Sequence, residues 1–147
     1  MRFLTPFKNS KFIETIVIVS CTLSSHACVI LCEMLQTCPK LKRLRLISNY
    51  LNDIKCELLF KEPFLKLEWL EICDNELGDK GCKLIGKTLE HPNTSLKNLV
   101  IYSNVFESGG CKYLAKGLIS NTKLESIDVS HNSVEGEGAI EFAEWCV

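Results

Sequence analysis

The chain has 147 residues, a formal net charge of −1 and 46% hydrophobic residues. That length fits one domain, and near-neutrality excludes the strong field that would hold nucleic acid or an anionic membrane surface. No apolar run in the sequence is long enough for a membrane-spanning helix.

Residues 1–11, MRFLTPFKNSK, form a lead-in. With FIETIVIVSCTL they imitate a signal peptide, but Glu14 interrupts the apolar stretch and no small-residue cleavage site follows. From residue 13 the same apolar residues fall into another register. Ile13, Ile16, Ile18, Cys21 and Leu23 open a first unit. Their spacing predicts a strand with one apolar face, then a helix over residues 24–36 capped by Ser24 or Ser25 and ended at Thr37-Cys38-Pro39.

Leu41, Leu44, Leu46, Asn49 and Leu51 open a second unit, whose helix is expected to stop before Pro63. Leu67, Leu70, Ile72, Asn75 and Leu77 open the third, which closes on the turn His91-Pro92-Asn93-Thr94-Ser95. Asn93-Thr94-Ser95 fits a glycosylation sequon that a reduced cytosolic protein would leave unused. The fourth begins Leu96, Leu99, Ile101, Asn104, Phe106, and the fifth Leu124, Ile127, Val129, Asn132, Val134. The starts at 13, 41, 67, 96 and 124 lie 28, 26, 29 and 28 residues apart.

Five units in register, with Asn or Cys at one fixed position, carry the leucine-rich-repeat signature. The expected fold is an α/β solenoid of about five β-α units, with a parallel sheet on the concave face and helices outside. Residues 1–11 stand outside the array, and 12–147 form a single repeat domain. Asn49, Asn75, Asn104 and Asn132 are expected to bond backbone groups of neighbouring turns, and Cys21 to do so only weakly through its thiol.

Seven residues after that position stand Cys28, Cys56, Cys82, Cys111 and Ala139. Ten after it stand Leu31, Leu59, Ile85, Leu114 and Phe142, and fourteen after it Leu35, Leu89, Leu118 and Cys146. Spacings of three and four place these on one helix face, turned to the sheet. Four of the nine cysteines thus share one core position. An odd count and a repeat-long separation favour reduced thiols over disulfides, and with them a cytoplasmic protein.

The Gly-Cys pairs Gly81-Cys82 and Gly110-Cys111 resemble the ribonuclease-inhibitor class of leucine-rich repeats. The stretch LEWLEICDNELGDKGCKLIGKTL is similar to repeats at the receptor end of NACHT-containing innate-immune sensors, the pyrin-domain branch especially. The likeness covers residues 12–147. It implies a non-enzymatic recognition region, binding a protein partner or folding back on an intramolecular NACHT-type module in a longer parent. The sequence holds no G-x-x-x-x-G-K-[ST] nucleotide loop, and neither end reads as a polar cap, so a piece of a longer receptor, a short isoform or a truncated product is expected.

On the concave face the strands are expected to display the residues between the buried positions, Cys73 among them. Adjacent strands lie about 4.8 Å apart, so Arg43 abuts Trp69 and Arg45 abuts Glu71. Arg, Trp and Tyr are the commonest binding hot spots, so Arg43, Arg45, Trp69, Glu71 and Tyr102, fringed by Asp74 and Asp128, make the expected partner-binding patch. The local alternative is an Arg45–Glu71 surface pair with Arg43 stacked on Trp69.

Asp74, Ser103 and His131 share one position on successive units, but a nucleophilic triad places His between Ser and Asp, so no catalytic residue is assigned. His26, Cys28, Cys32 and Cys38 could suggest a metal site, yet Cys28 and Cys32 fall on the core face, so no metal and no cofactor is expected. Functionally the resemblance implies a receptor-type recognition module, with a ribonuclease-inhibitor-like enzyme inhibitor or another cytosolic scaffold as the alternative. A basic target would want more acid on the concave face than Glu71, Asp74 and Asp128.

Overall fold

The computed structural model describes residues 4–145; the expected helix-face position of Cys146 lies outside them. A short 3-10 turn, Thr5–Phe7, precedes the repeats and buries Leu4. Then β1 (Thr15–Val19), β2 (Arg43–Ile47), β3 (Trp69–Glu71), β4 (Asn98–Val100) and β5 (Ser126–Asp128) alternate with α1 (Ser25–Thr37), α2 (Asp53–Leu59), α3 (Asp79–Glu90), α4 (Ser108–Leu118) and α5 (Glu137–Trp145). The strands form one parallel sheet in chain order, and each helix packs on its sequence neighbours. This is the leucine-rich-repeat solenoid the spacing predicts.

The alternation is direct in β1, where Ile16 and Ile18 are buried between exposed Thr15, Val17 and Val19. Across the array Leu44 pairs with Leu70, Leu70 with Leu99 and Leu99 with Ile127. Burying side chains of this size stabilises by about 1.5–3 kcal/mol each. Ser24 caps α1, its hydroxyl accepting from Ala27 N–H at 3.2 Å. α2 ends at Leu59, before Pro63, and Phe64 is tucked into the core beside Phe60, with ring centroids 4.6 Å apart.

The asparagines at the fixed position hydrogen-bond backbone groups along the array. Asn75 Nδ2 donates to the carbonyls of Leu46 and Cys73 at 2.8 and 2.7 Å, while its Oδ1 accepts from Asn49 N and Leu51 N at 2.9 and 3.0 Å. Asn49 accepts from Cys21 N at 3.1 Å, and Asn104 from Leu77 N at 3.0 Å. Cys21, exposed, closes only a local contact from its thiol to Val19 O. Asn132 donates to Ile101 O at 3.1 Å, but its buried Oδ1 has no donor among the described residues.

The last unit is correspondingly less enclosed. Ile127, Val129, Val134 and Phe142 are only partly buried, and Ala139 is exposed, which corrects its assignment to the core face. Its helix packs mainly on α4.

Among the described residues eight cysteines are free thiols. Burial pushes Cys28 and Cys111 up to about 11 and Cys73 up to about 12, and raises Cys56 and Cys82 further still. A thiol whose folded pKa exceeds the unfolded value of 9.0 keeps its full stabilising effect below pH 9 and loses it as pH climbs toward the folded value. Stability should therefore fall as pH rises from 9 toward 11, where these thiols ionise in the unfolded chain and stay protonated in the folded one. In urea titrations Cys82→Ala should shallow that alkaline decline. With iodoacetamide at pH 8, exposed Cys21 should be alkylated rapidly and the five shifted thiols only on unfolding; rapid labelling of Cys82 in the folded chain would contradict the core assignment.

Candidate partner-binding face

The strand register places Arg43 beside Trp69 and Arg45 beside Glu71, as the repeat spacing predicts. On their outer sides Thr15 flanks Arg43, Val17 flanks Arg45, Asn98 flanks Trp69 and Val100 flanks Glu71. These contacts follow from sequence because each unit enters its strand at the same step after the preceding turn.

Arg45 grips Glu71 with two hydrogen bonds, Nε to Oε2 at 2.6 Å and Nη2 to Oε1 at 3.2 Å. This bond to Glu71 holds the Arg45 guanidinium above its ordinary pKa. Glu71 itself is buried, 7% exposed, so it is the anchor of Arg45 rather than a displayed acid. Arg43 is exposed, and its guanidinium makes no hydrogen bond or ion pair with a described side chain. The cation–π contact that forms is Lys83 over Tyr113, 5.4 Å from the ring centroid on the helical side, and not Arg43 on Trp69. Arg43, Arg45 and Trp69 line an open cavity of about 370 Å3.

Of the remaining expected patch residues, Asp74 and Tyr102 lie past the strand ends, whereas Asp128 shares the row of Arg45 and Glu71, two strands beyond Glu71. Asp74 lines a second cavity of about 330 Å3 with Ser20, Thr22, Ser48 and Tyr50. Tyr102, half-buried, follows β4 beside it, and the negative charge of Asp74 raises its pKa. Asp128 accepts from Ser130 Oγ at 2.7 Å and Ser130 N at 3.0 Å, which lowers its pKa. The expected single patch is thus dispersed: a basic-aromatic group on β2 and β3, Asp74 and Tyr102 past the strand ends, and Asp128 apart from both on β5. Cys73 is not displayed: it is fully buried, with its thiol toward Val100 O. Its flanking positions hold the larger Ile47 and Tyr102, whose copies bond directly to its own through Ser48 N and Asp74 N.

Ser20, Ser48, Asp74, Ser103 and His131 all have left-handed backbone, with φ between 52° and 54°. That turn geometry explains why Asp74, Ser103 and His131 align, and no side-chain hydrogen bond joins them. Among the described residues no group of three or more His, Cys, Asp or Glu is placed to hold a metal.

Two cross-unit features escaped the sequence reading. Asp53 Oδ1 accepts from Gly78 N and Gly81 N of the next unit, both at 2.9 Å, and Asp79 Oδ1 from Glu107 N at 2.8 Å. Ser108 takes the same place in the next step, donating to Glu135 O at 2.9 Å. The signal was an acid or hydroxyl four residues past Asn49, Asn75 and Asn104, with glycine near the next helix start. Second, Glu14, Lys42, Glu68, Lys97 and Glu125 stand one per unit with alternating sign, each later backbone N–H bonding the preceding carbonyl. Lys42 pairs with Glu68 at 2.5 Å and Lys97 with Glu125 at 3.8 Å; such exposed pairs contribute about 0–1 kcal/mol each.

Comparison with known proteins bears on the architecture and on the repeat class. The family model described as "Leucine Rich repeat" matches residues 120–143. The mouse ribonuclease inhibitor is 29% identical over 90% of this chain and 36% of its own length. The mouse NACHT, LRR and PYD domains-containing protein 14 is 33% identical over 79% of this chain and 12% of its own length. The chain therefore spans about a third of that inhibitor and about an eighth of that NACHT protein. The solved structure of Leiomodin-1 Actin-Binding Site 2 superposes with a TM-score of 0.67 at 15% identity, covering 97% of this chain and 84% of that one, a likeness of fold. The chain is a leucine-rich-repeat solenoid whose units are similar to those of ribonuclease inhibitors and of NACHT, LRR and PYD domains-containing proteins.

Proposed function

We propose that residues 12–147 act as one non-enzymatic recognition domain that binds a protein partner on the concave sheet. The observation that carries this reading is the strand-start group of Arg43, Arg45 and Trp69, where an unpaired guanidinium and a half-buried indole stand beside an open cavity. A rigid, preformed sheet loses little conformational freedom on binding, which favours association with a protein surface. The similarity to NACHT, LRR and PYD domains-containing proteins supports a receptor-type role in a reduced, cytoplasmic setting. There the partner is a separate protein or a NACHT-type module of a longer parent. The free buried thiols agree with that compartment.

A second reading, inhibition of an enzyme, draws on the similarity to ribonuclease inhibitor. It is the weaker reading on charge. Glu71 is neutralised by Arg45, leaving Asp74 and Asp128 as the patch's acids, and Asp128 is already bonded to Ser130. The test is affinity capture from cytosol with the full chain and with Trp69→Ala/Arg43→Glu. The double substitution should abolish capture while circular dichroism stays unchanged; undiminished capture would remove the concave-face reading.

A further inference from the structure

The strand-start cavity has a charge that specifies its occupant. Arg45 is cancelled by Glu71 at 2.6 and 3.2 Å, and Lys42 is paired with Glu68 at 2.5 Å. What remains without a hydrogen-bonded acid at the cavity is Arg43, a planar fork of donors that reaches Glu68 only through its charge. The cavity's third wall is the half-buried indole of Trp69. Immediately beside Arg45 stands Val17, 50% exposed, so apolar surface borders the cavity on the β1 side.

We infer that this cavity receives the carboxylate of an aspartate or glutamate side chain of the partner protein, next to an apolar residue that lies on Val17 and Trp69. A carboxylate brings one negative charge to the Arg43 fork, whereas a phosphate dianion would bring a second one close to Glu71 and Glu68. Carboxylate and guanidinium match in a two-point geometry that an ammonium or a neutral amide lacks. The partner segment is thus acidic-apolar, the reverse in sign of what a basic target would present. The inference rests on the concave-face reading and specifies its chemistry.

The experiment selects twelve-residue peptides displayed on phage against the full chain, then measures synthetic versions by fluorescence polarisation. Enriched peptides should hold an acid beside an apolar residue. Changing that acid to its amide, or Arg43→Gln in the protein, should each weaken binding about tenfold. The two changes together should weaken it no further than either alone. Arg43→Lys should fall between, and Trp69→Ala should remove binding. If Trp69→Ala removes binding while Arg43→Gln and the acid-to-amide change do not alter it, the carboxylate assignment is wrong and the concave-face reading stands. If neither protein variant alters binding, both are wrong. An acidic peptide pool that binds wild type no better than Arg43→Gln also overturns the assignment.

Discussion

Asn75→Ala is expected to be among the most destabilising single substitutions in the chain. The amide makes four hydrogen bonds, three of which tie the second unit to the third. Alanine would leave the N–H groups of Asn49 and Leu51, both in residues with 0% exposure, without their acceptor. A buried unsatisfied donor costs about 1–3 kcal/mol, so the two together cost about 2–6 kcal/mol. A domain of this kind is stable by only about 5–15 kcal/mol. The damage also falls inside the array, where each unit depends on contact with its neighbours, so both flanking interfaces weaken. Asn132→Ala should cost clearly less, because the Asn132 oxygen serves no donor in the described structure. Urea titrations of both variants check the order; equal losses, or a larger one at Asn132, would show that the ladder does not carry inter-unit stability as the hydrogen bonds imply.

Gly86→Val should be comparably harmful for a different reason. α3 and α4 approach through glycines on both sides. A Cβ at Gly117 would stand 2.5 Å from Gly86 O, and a Cβ at Gly86 would overlap the carbonyl oxygen of Tyr113. These obstacles are backbone atoms, so no side chain can turn aside to relieve them. Replacing glycine inside a helix ordinarily gains stability, about 1 kcal/mol for alanine. Here the forced separation of α3 and α4 outweighs that gain, with a net loss on the order of 3 kcal/mol. At Gly109 the obstacle is the Asp79 carboxylate, a side-chain end able to move, and Gly109→Ala should be milder. Thermal melts of the three variants test the ranking. A stabilised Gly86→Ala would mean that the two helices have room the structure denies.

The strand pairings were legible because they depend on repeat phase alone. Once Leu44, Leu70 and Leu99 occupy one position, Arg43 must meet Trp69 and Arg45 must meet Glu71. The Asn ladder was legible for the same reason, with its residue type fixed by the need for a donor and an acceptor on one short side chain. The end of α2 followed from Pro63.

Burial across units was not legible in that way. Position within a strand says which face Cys73 and Glu71 occupy, but their burial depends on the bulk of Ile47 and Tyr102 and on the reach of Arg45. The Asp53 and Asp79 contacts connect residues 25 and 28 apart in sequence to glycine and glutamate N–H groups, and a single unit shows only half of each pair.

The central claim is that this solenoid recognises protein through the strand-start group on its concave face. The most direct measurement is quantitative affinity capture from cytosol with three baits in parallel: the wild-type chain, Trp69→Ala/Arg43→Glu, and Ile119→Glu at the exposed end of α4. All three should keep the same circular dichroism. A partner should be held by wild type and by Ile119→Glu and lost from the double variant. A partner lost with Ile119→Glu and retained by the double variant would contradict it and place recognition on the helical side.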